Sequence, residues 1–134
     1  MYRINTGEVR DVFRRRYELF LPGALDEAAM AEAAALLTGR HDWRAFTNNH
    51  RTKKSTVRTV TELRLDREGG RLSLWFTGDG FLYNMVRIMT GTLLEVGQGR
   101  RWPEEMPALL ASLDRRRTGP AAPACGLTLW EVFY

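Results

Sequence analysis

The sequence is poor in cysteine, histidine and lysine, and these shortages limit what the chain can do. Its one cysteine, Cys125, cannot form a disulfide within the chain, which fits a reducing, cytoplasmic location. Its two histidines, His41 and His50, form no cluster with the spacing of metal ligands, so we expect no metal site. No apolar run is long enough to span a bilayer, so we expect no membrane association.

Arginine carries nearly all of the positive charge. Of the 20 Lys and Arg residues only Lys53 and Lys54 are lysines, and the 16 acidic residues leave a net charge of +4. A guanidinium donates paired hydrogen bonds to phosphate, so this composition mildly favours a polyanionic partner. The cations form three clusters: Arg14-Arg15-Arg16, then Arg51/Lys53/Lys54/Arg58, and Arg115-Arg116-Arg117. A solvated surface would account equally well for any one cluster.

The spacing of apolar residues predicts pairs of strands followed by helices. Strands are predicted over Tyr2–Ile4, Val12–Phe20, Val57–Leu65, Arg71–Gly78 and Leu127–Tyr134. Helices are predicted over Leu25–Thr38 and from Pro103 to about Leu113, with a short helical turn over His41–Phe46 and a basic loop over Thr47–Thr56. This order predicts an α+β fold, with a mainly antiparallel sheet and helices packed on one face. With 134 residues and no internal repeat, we expect a single domain, 1–134.

The segment Gly80–Gly97 carries the strongest functional signal. It predicts a helix that is apolar on nearly every side, with a narrow polar stripe through Asn84, Arg87, Gly91 and Glu95. Arg87 keeps its proton, so a buried position requires a carboxylate, a phosphate or several carbonyls around it. From the helix alone, a structural ion pair and a functional site are equally good interpretations of the stripe.

Four phrases along the chain resemble the second half of the tRNA pseudouridine synthase A family, in the same order and at the same spacing. They are Tyr2-Arg3-Ile4 with Val9-Arg10-Asp11 and Phe13-Arg14-Arg15, Leu37-x-Gly39-x-His41-Asp42 with Ala45-Phe46, Phe81 through Gly97, and Asp114-Arg115 with Ala121 through Leu129. Together they cover essentially the whole chain. The resemblance implies the C-terminal domain of an enzyme that isomerises uridine to pseudouridine in tRNA, without a cofactor.

The resemblance also implies roles for particular residues and partners. Arg87 would pair with the catalytic aspartate, and Leu127 and Tyr2 would contribute to the uridine site. Because phosphate contacts supply most of the salt-dependent affinity for RNA, we expect the basic residues to bind tRNA. The candidates are Arg51, Lys53, Lys54, Arg58 and Arg14. The intact protein is expected to be a homodimer.

The chain departs from the family pattern at the catalytic residue. The family carries its aspartate in an Arg-Thr-Asp-x-Gly-Val-His phrase, and none of the six aspartates here lies in one: Asp11, Asp26, Asp42, Asp66, Asp79 and Asp114. The first tyrosine of the family's Tyr-x-Tyr strand would lie immediately before Met1. We therefore expect an isolated C-terminal domain, from a truncation or a split gene, that is inactive without an N-terminal domain. Two alternatives stay open: a non-catalytic RNA-binding module, and a structural or dimerisation piece.

Overall fold

The computed structural model describes residues 1–7, 17–48 and 54–128, and within these ranges five strands form one sheet. The strands are β1 (Tyr2–Asn5), β2 (Leu19–Phe20), β3 (Gly39–Asp42), β4 (Val57–Glu68) and β5 (Arg71–Gly78), in the order β2-β1-β5-β4-β3. Every neighbouring pair is antiparallel except β1 and β2, which are parallel. Three helices pack against the sheet: α1 (Glu27–Leu36), α2 (Met85–Gly97) and α3 (Met106–Ser112). The predicted α+β fold is confirmed.

Alternation along the strands places the hydrophobic core on one face of the sheet. Tyr2 lies opposite Leu74 and Ile4 opposite Leu72, and all four side chains are completely buried. Arg3, between Tyr2 and Ile4, points to the other face, since successive side chains of a strand alternate. Buried side chains of the three helices, of β4 and of residues 43–46 supply most of the rest of the core.

Strands β4 and β5 form a hairpin, as the pair Gly69-Gly70 between two strand-like segments predicts. Gly69 and Gly70 form the turn, and Gly69 adopts a φ of +58°, which glycine reaches at little cost. β4 contains an irregularity in register between Val60 and Glu62. The extra residue allows Val60 and Leu63, which are three apart, both to be buried.

Two predicted elements near the start of the chain have different bounds. Asp26 caps α1, because its carboxylate accepts a hydrogen bond of 3.0 Å from the backbone N–H of Ala29. The predicted helical turn over residues 41–46 is wrong in its first half. His41 and Asp42 belong to β3 and pair with β4, and only Arg44–Phe46 forms a 3₁₀ turn. The free edge of β4 supplies backbone partners that a local propensity argument does not include.

Helix α2 begins five residues later than its predicted start. Asn84 has a φ of +60° and Gly80 a φ of +155°, and a right-handed helix cannot continue through such residues. Phe81 therefore lies in the connection before the helix, where it is 41% exposed. From Met85 onward the prediction of a mostly buried helix is confirmed.

The end of the described chain is a short helix followed by an extended segment. A 3₁₀ turn at Pro103–Glu105 leads into α3, and the preceding Trp102 is 73% exposed. The predicted strands over residues 12–20 and 127–134 lie largely outside the described residues, as does much of the basic loop. No helix in the described part combines the length and apolarity needed to cross a membrane.

Candidate active site

The polar stripe of α2 is covered by residues 118–127, which we call the strap. The strap is extended except for a 3₁₀ turn at Ala124–Gly126. The backbone N–H of Gly119 donates a hydrogen bond of 2.9 Å to the hydroxyl of Thr92. Five residues back along the helix, the backbone carbonyl of Arg87 accepts a hydrogen bond of 2.9 Å from the N–H of Ala122. The strap therefore runs antiparallel to α2 and is fixed to it at two points.

Two glycines allow the strap to lie this close to the helix. A Cβ atom on Gly91 would overlap the carbonyl oxygen of Pro120 and lie 2.9 Å from its carbonyl carbon. A Cβ atom on Gly119 would overlap the carboxylate of Glu95 and lie 2.9 Å from the backbone nitrogen of Thr92. The gap that the sequence places on the stripe is thus the surface on which the strap packs.

Arg87 is half-buried and is held by neutral oxygen atoms. Its Nε donates a hydrogen bond of 2.7 Å to the carbonyl of Ala122, and its Nη1 donates one of 3.1 Å to Oδ1 of Asn84. Glu95, the one acidic residue on the stripe, instead pairs with Arg101 at 3.1 Å. No carboxylate among the described residues forms an ion pair with Arg87. The guanidinium is oriented, and its charge is uncompensated within this part of the chain.

Tyr2 lies beneath the strap and close to Arg87. Its hydroxyl donates a hydrogen bond of 2.6 Å to the carbonyl of Pro123, and its side chain is completely buried. A Cβ atom on Gly126 would lie 2.6 Å from the Tyr2 ring, so glycine is required there. Burial raises the pKa of Tyr2 well above its usual value, nearby Cys125 adds to this, and the positive charge of Arg87 opposes it. The phenol is therefore neutral at physiological pH.

Leu127 completes this group at the end of the strap. It lies opposite Tyr2 in an antiparallel bridge, its N–H donates a hydrogen bond of 3.0 Å to the carbonyl of Ala124, and the residue is 40% exposed. The strap thus brings together Arg87, Tyr2 and Leu127, three residues that the sequence analysis selected. It also adds the carbonyls of Ala122 and Pro123, which sequence reasoning missed because a backbone carbonyl carries no residue signature.

The structure describes two of the predicted RNA-binding residues, Lys54 and Arg58. Arg58 is the second residue of β4 and is held by hydrogen bonds of 2.9 and 2.7 Å from its Nη1 to the carbonyls of Ser55 and Val57. Lys54 is exposed, and both residues line a cavity of about 210 Å³. Arg14, Arg51 and Lys53 lie outside the described residues. In the described ranges, no three side chains of metal-binding type come together.

The chain is similar in sequence to known proteins of one family. Residues 33–134 match a family model described as tRNA pseudouridine synthase. The chain is 47% identical over 99% of its length to tRNA pseudouridine synthase A of Geobacillus kaustophilus, and 47% identical over 99% to that of Brevibacillus brevis. It is 39% identical over the same share to tRNA pseudouridine synthase A 2 of Clostridium perfringens. The matches cover 52–54% of these proteins, so the chain spans about half the length of the curated relatives.

Proposed function

The chain belongs to the tRNA pseudouridine synthase family, and from this premise we propose that it is the C-terminal domain of such an enzyme. In this role it supplies Arg87 and part of the tRNA-binding groove, and a partner domain supplies the catalytic aspartate. The reaction breaks the N1–C1′ bond of a uridine in tRNA, turns the base and joins C5 to C1′, with loss of the C5 proton and gain of a proton at N1. The reaction is an isomerisation with no net change of oxidation state, so it requires no redox cofactor.

The state of Arg87 is the observation that carries this proposal. Two neutral acceptors hold its guanidinium in a fixed direction, and no described carboxylate neutralises it. An aspartate placed against this group by another domain would be kept ionised, because a nearby positive charge lowers a carboxyl pKa. Its orientation would also be fixed before substrate arrives, which avoids an entropic cost in the reaction.

Tyr2 and Leu127 act next to Arg87 in different ways. Leu127 is partly exposed at the end of the strap, so we propose that its side chain contacts the uridine base. Tyr2 is buried and bonded to the carbonyl of Pro123, so its role is to hold the strap, and with it the acceptor of Arg87, in place. The resemblance implies that Tyr2 contributes to the uridine site, and we propose that it does so indirectly, by holding the strap in place.

We propose that Lys54 and Arg58, together with Arg14, Arg51 and Lys53, bind phosphates of the tRNA. These contacts would hold the substrate while the target base leaves its stack, a change that costs a few kcal/mol. The intact enzyme is proposed to be a cytoplasmic homodimer. The 134 residues alone are proposed to be inactive, because none of their aspartates lies in the catalytic phrase.

A chimera tests this proposal. The N-terminal half of the Geobacillus kaustophilus enzyme is fused to this chain, and tritium release from C5-labelled uridine in tRNA is measured. We expect release from the chimera, none from the 134-residue chain, and none from the chimera carrying Arg87→Met. The same chimera carrying Arg116→Met serves as a control, because Arg116 is a highly exposed arginine outside the strap.

Two outcomes would contradict the proposal. Release by the chain alone would show that it contains its own catalytic carboxylate. A chimera that is folded, binds tRNA and shows no release would favour the non-catalytic RNA-binding module instead.

A further inference from the structure

The cavity beside Arg58 is not part of the group formed by Arg87, Tyr2 and Leu127. It has a volume of about 210 Å³ and lies between the start of β4 and the connection that leads into α2. Its walls include Thr47, Lys54, Arg58, Phe81, Leu82 and Tyr83. The volume is below the range of about 300–1,000 Å³ typical of drug-sized ligands, so it suits a group no larger than one nucleobase.

Two aromatic side chains stand exposed at this cavity. Phe81 is 41% exposed and Tyr83 is 66% exposed, whereas Phe46 and Trp43 in the core are completely buried. The exposed pair lies on a connection whose backbone is fixed. The hydroxyl of Thr47 donates a hydrogen bond of 2.9 Å to the carbonyl of Tyr83. An exposed aromatic on a fixed backbone is a preformed surface for stacking.

The same cavity carries positive charge. Both hydrogen bonds that orient the Arg58 guanidinium leave from Nη1, so among the described residues Nε and Nη2 have no acceptor. Lys54 lies on the same wall. The described residues that line the cavity include no aspartate or glutamate.

We propose that this cavity binds one unstacked nucleotide of the tRNA, with its base against Tyr83 and Phe81 and its phosphate on Arg58 and Lys54. Proteins read single-stranded RNA by stacking splayed bases on aromatic side chains and by contacting phosphates with cations. The inference rests on the proposed function. It adds a binding site for a nucleotide other than the target uridine, which lies at Arg87 and Leu127.

The two sites are adjacent along the chain and through hydrogen bonds. Asn84 follows Tyr83 directly, and its side chain accepts the hydrogen bond of 3.1 Å from Nη1 of Arg87. A nucleotide stacked on Tyr83 is therefore one residue away from the group that orients the guanidinium. This places the bound nucleotide near the target uridine. Stacking of that nucleotide on Tyr83 would help to keep the target base unstacked from the RNA helix.

Binding of fluorescein-labelled tRNA to the full chain, measured by anisotropy over a range of salt concentrations, tests the proposal. Tyr83→Ala should weaken binding by roughly fivefold to 150-fold, because one stacked base contributes about 1–3 kcal/mol. Its salt dependence should keep the wild-type slope, whereas Arg58→Ala should lower the slope by about one. Tyr83→Phe should bind like the wild type. Binding to a blunt RNA duplex, which has no unstacked base, should be unaffected by Tyr83→Ala.

Trp102→Ala is the matched control, because Trp102 is 73% exposed and follows Arg100 and Arg101 but does not line the cavity. Circular dichroism confirms that each variant is folded. Wild-type binding by Tyr83→Ala, or an equal loss in Trp102→Ala, would overturn the nucleotide site and leave the proposed function intact. A wild-type chain that binds no tRNA at any salt concentration would overturn the RNA contacts of the proposed function, and this site with them.

Discussion

The two ends of the polar stripe on α2 differ in whether the charged side chain has a partner of opposite charge. At the C-terminal end, Glu95 and Arg101 form an ion pair of 3.1 Å whose side chains are only 20% and 17% exposed. At the N-terminal end, Arg87 is half-buried and bonded to an amide oxygen and a backbone carbonyl. At the C-terminal end, both charges are therefore paired within the described residues. At the N-terminal end, the Arg87 guanidinium is held in a fixed direction and no described carboxylate neutralises it.

This difference distinguishes Arg101, whose charge is paired with Glu95 of α2, from Arg87 on the helix itself, whose charge has no paired carboxylate among the described residues. A buried ion pair satisfies both of its members and needs nothing further from outside. An oriented guanidinium without a carboxylate costs desolvation free energy that the domain itself does not recover. A partner or a substrate that brings a negative charge would recover it. The comparison therefore predicts that stability depends on Arg101, and activity on Arg87.

The largest effect is expected from Gly91, which lies between the two ends. Gly91→Ala should lower the free energy of unfolding by about 3 kcal/mol, because the new Cβ overlaps backbone atoms of the strap. Helix propensity alone predicts the opposite sign, a gain of about 1 kcal/mol. Urea unfolding measures the change as a shift in midpoint at constant slope.

Gly97→Ala is the matched control on the same helix. There the new Cβ would meet the Met30 side chain, at 2.5 Å from its sulfur, and a flexible side chain can move away more easily than backbone. We expect a loss of about 1 kcal/mol or less. If Gly91→Ala were as stable as Gly97→Ala, the strap would not be packed against the stripe as described.

The second prediction concerns the ion pair of Glu95 and Arg101 at the C-terminal end of the stripe. Arg101→Met should lower the free energy of unfolding by about 2 kcal/mol, between the values for buried and surface pairs, because it leaves the Glu95 carboxylate without its partner. Arg116→Met is the control, since Arg116 pairs with Asp114 at 3.1 Å but is 89% exposed. Its midpoint should not change measurably. Equal midpoints for the two variants would show that the Glu95 pair is not structural.

The sequence predicted the elements of this comparison better than their arrangement. The stripe, its charge and its gap follow from helical spacing, because residues three and four apart share a face. The carbonyl that accepts from Arg87 and the path of the strap do not, since they depend on backbone atoms of residues 118–127. The late start of α2 at Met85 was missed for a related reason. Asn84 takes a left-handed conformation that its residue type allows and does not require.

A third, smaller effect concerns Tyr2 under the strap. Tyr2→Phe removes the hydrogen bond of 2.6 Å to the carbonyl of Pro123 and should cost about 1 kcal/mol at neutral pH. Burial raises the pKa of Tyr2 in the folded state above its ordinary value of 10.0. The protonated Tyr2 phenol therefore makes its full contribution to the free energy of unfolding below pH 10.0, and this contribution is lost as the pH rises above that value.

Urea midpoints measured across the alkaline range check this linkage. The wild type should lose stability above about pH 10 more steeply than Tyr2→Phe, so that the difference between them narrows. Tyr83→Phe is the control, because Tyr83 is 66% exposed, and it should follow the wild-type profile. Parallel profiles for the wild type and Tyr2→Phe would show that the phenol is not held neutral by burial.

The smallest change in stability is expected where the effect on activity is greatest. Arg87→Met loses two hydrogen bonds to neutral acceptors, but it also removes a half-buried charge and keeps the apolar stem. These contributions oppose each other, so the free energy of unfolding should stay within about 1 kcal/mol of the wild type. Arg101→Met, which breaks a pair instead of removing an uncompensated charge, should lose more.

Urea unfolding of the two variants side by side decides between the two interpretations of the stripe. A loss in Arg87→Met as large as that in Arg101→Met would mean that Arg87 is a structural residue of this domain. A small loss, combined with no tritium release from the chimera carrying Arg87→Met, would separate stability from function at one residue. Activity alone cannot make this distinction, because an unfolded variant is also inactive. The order of the two unfolding midpoints therefore tests whether Arg87 is kept for a partner outside the described residues.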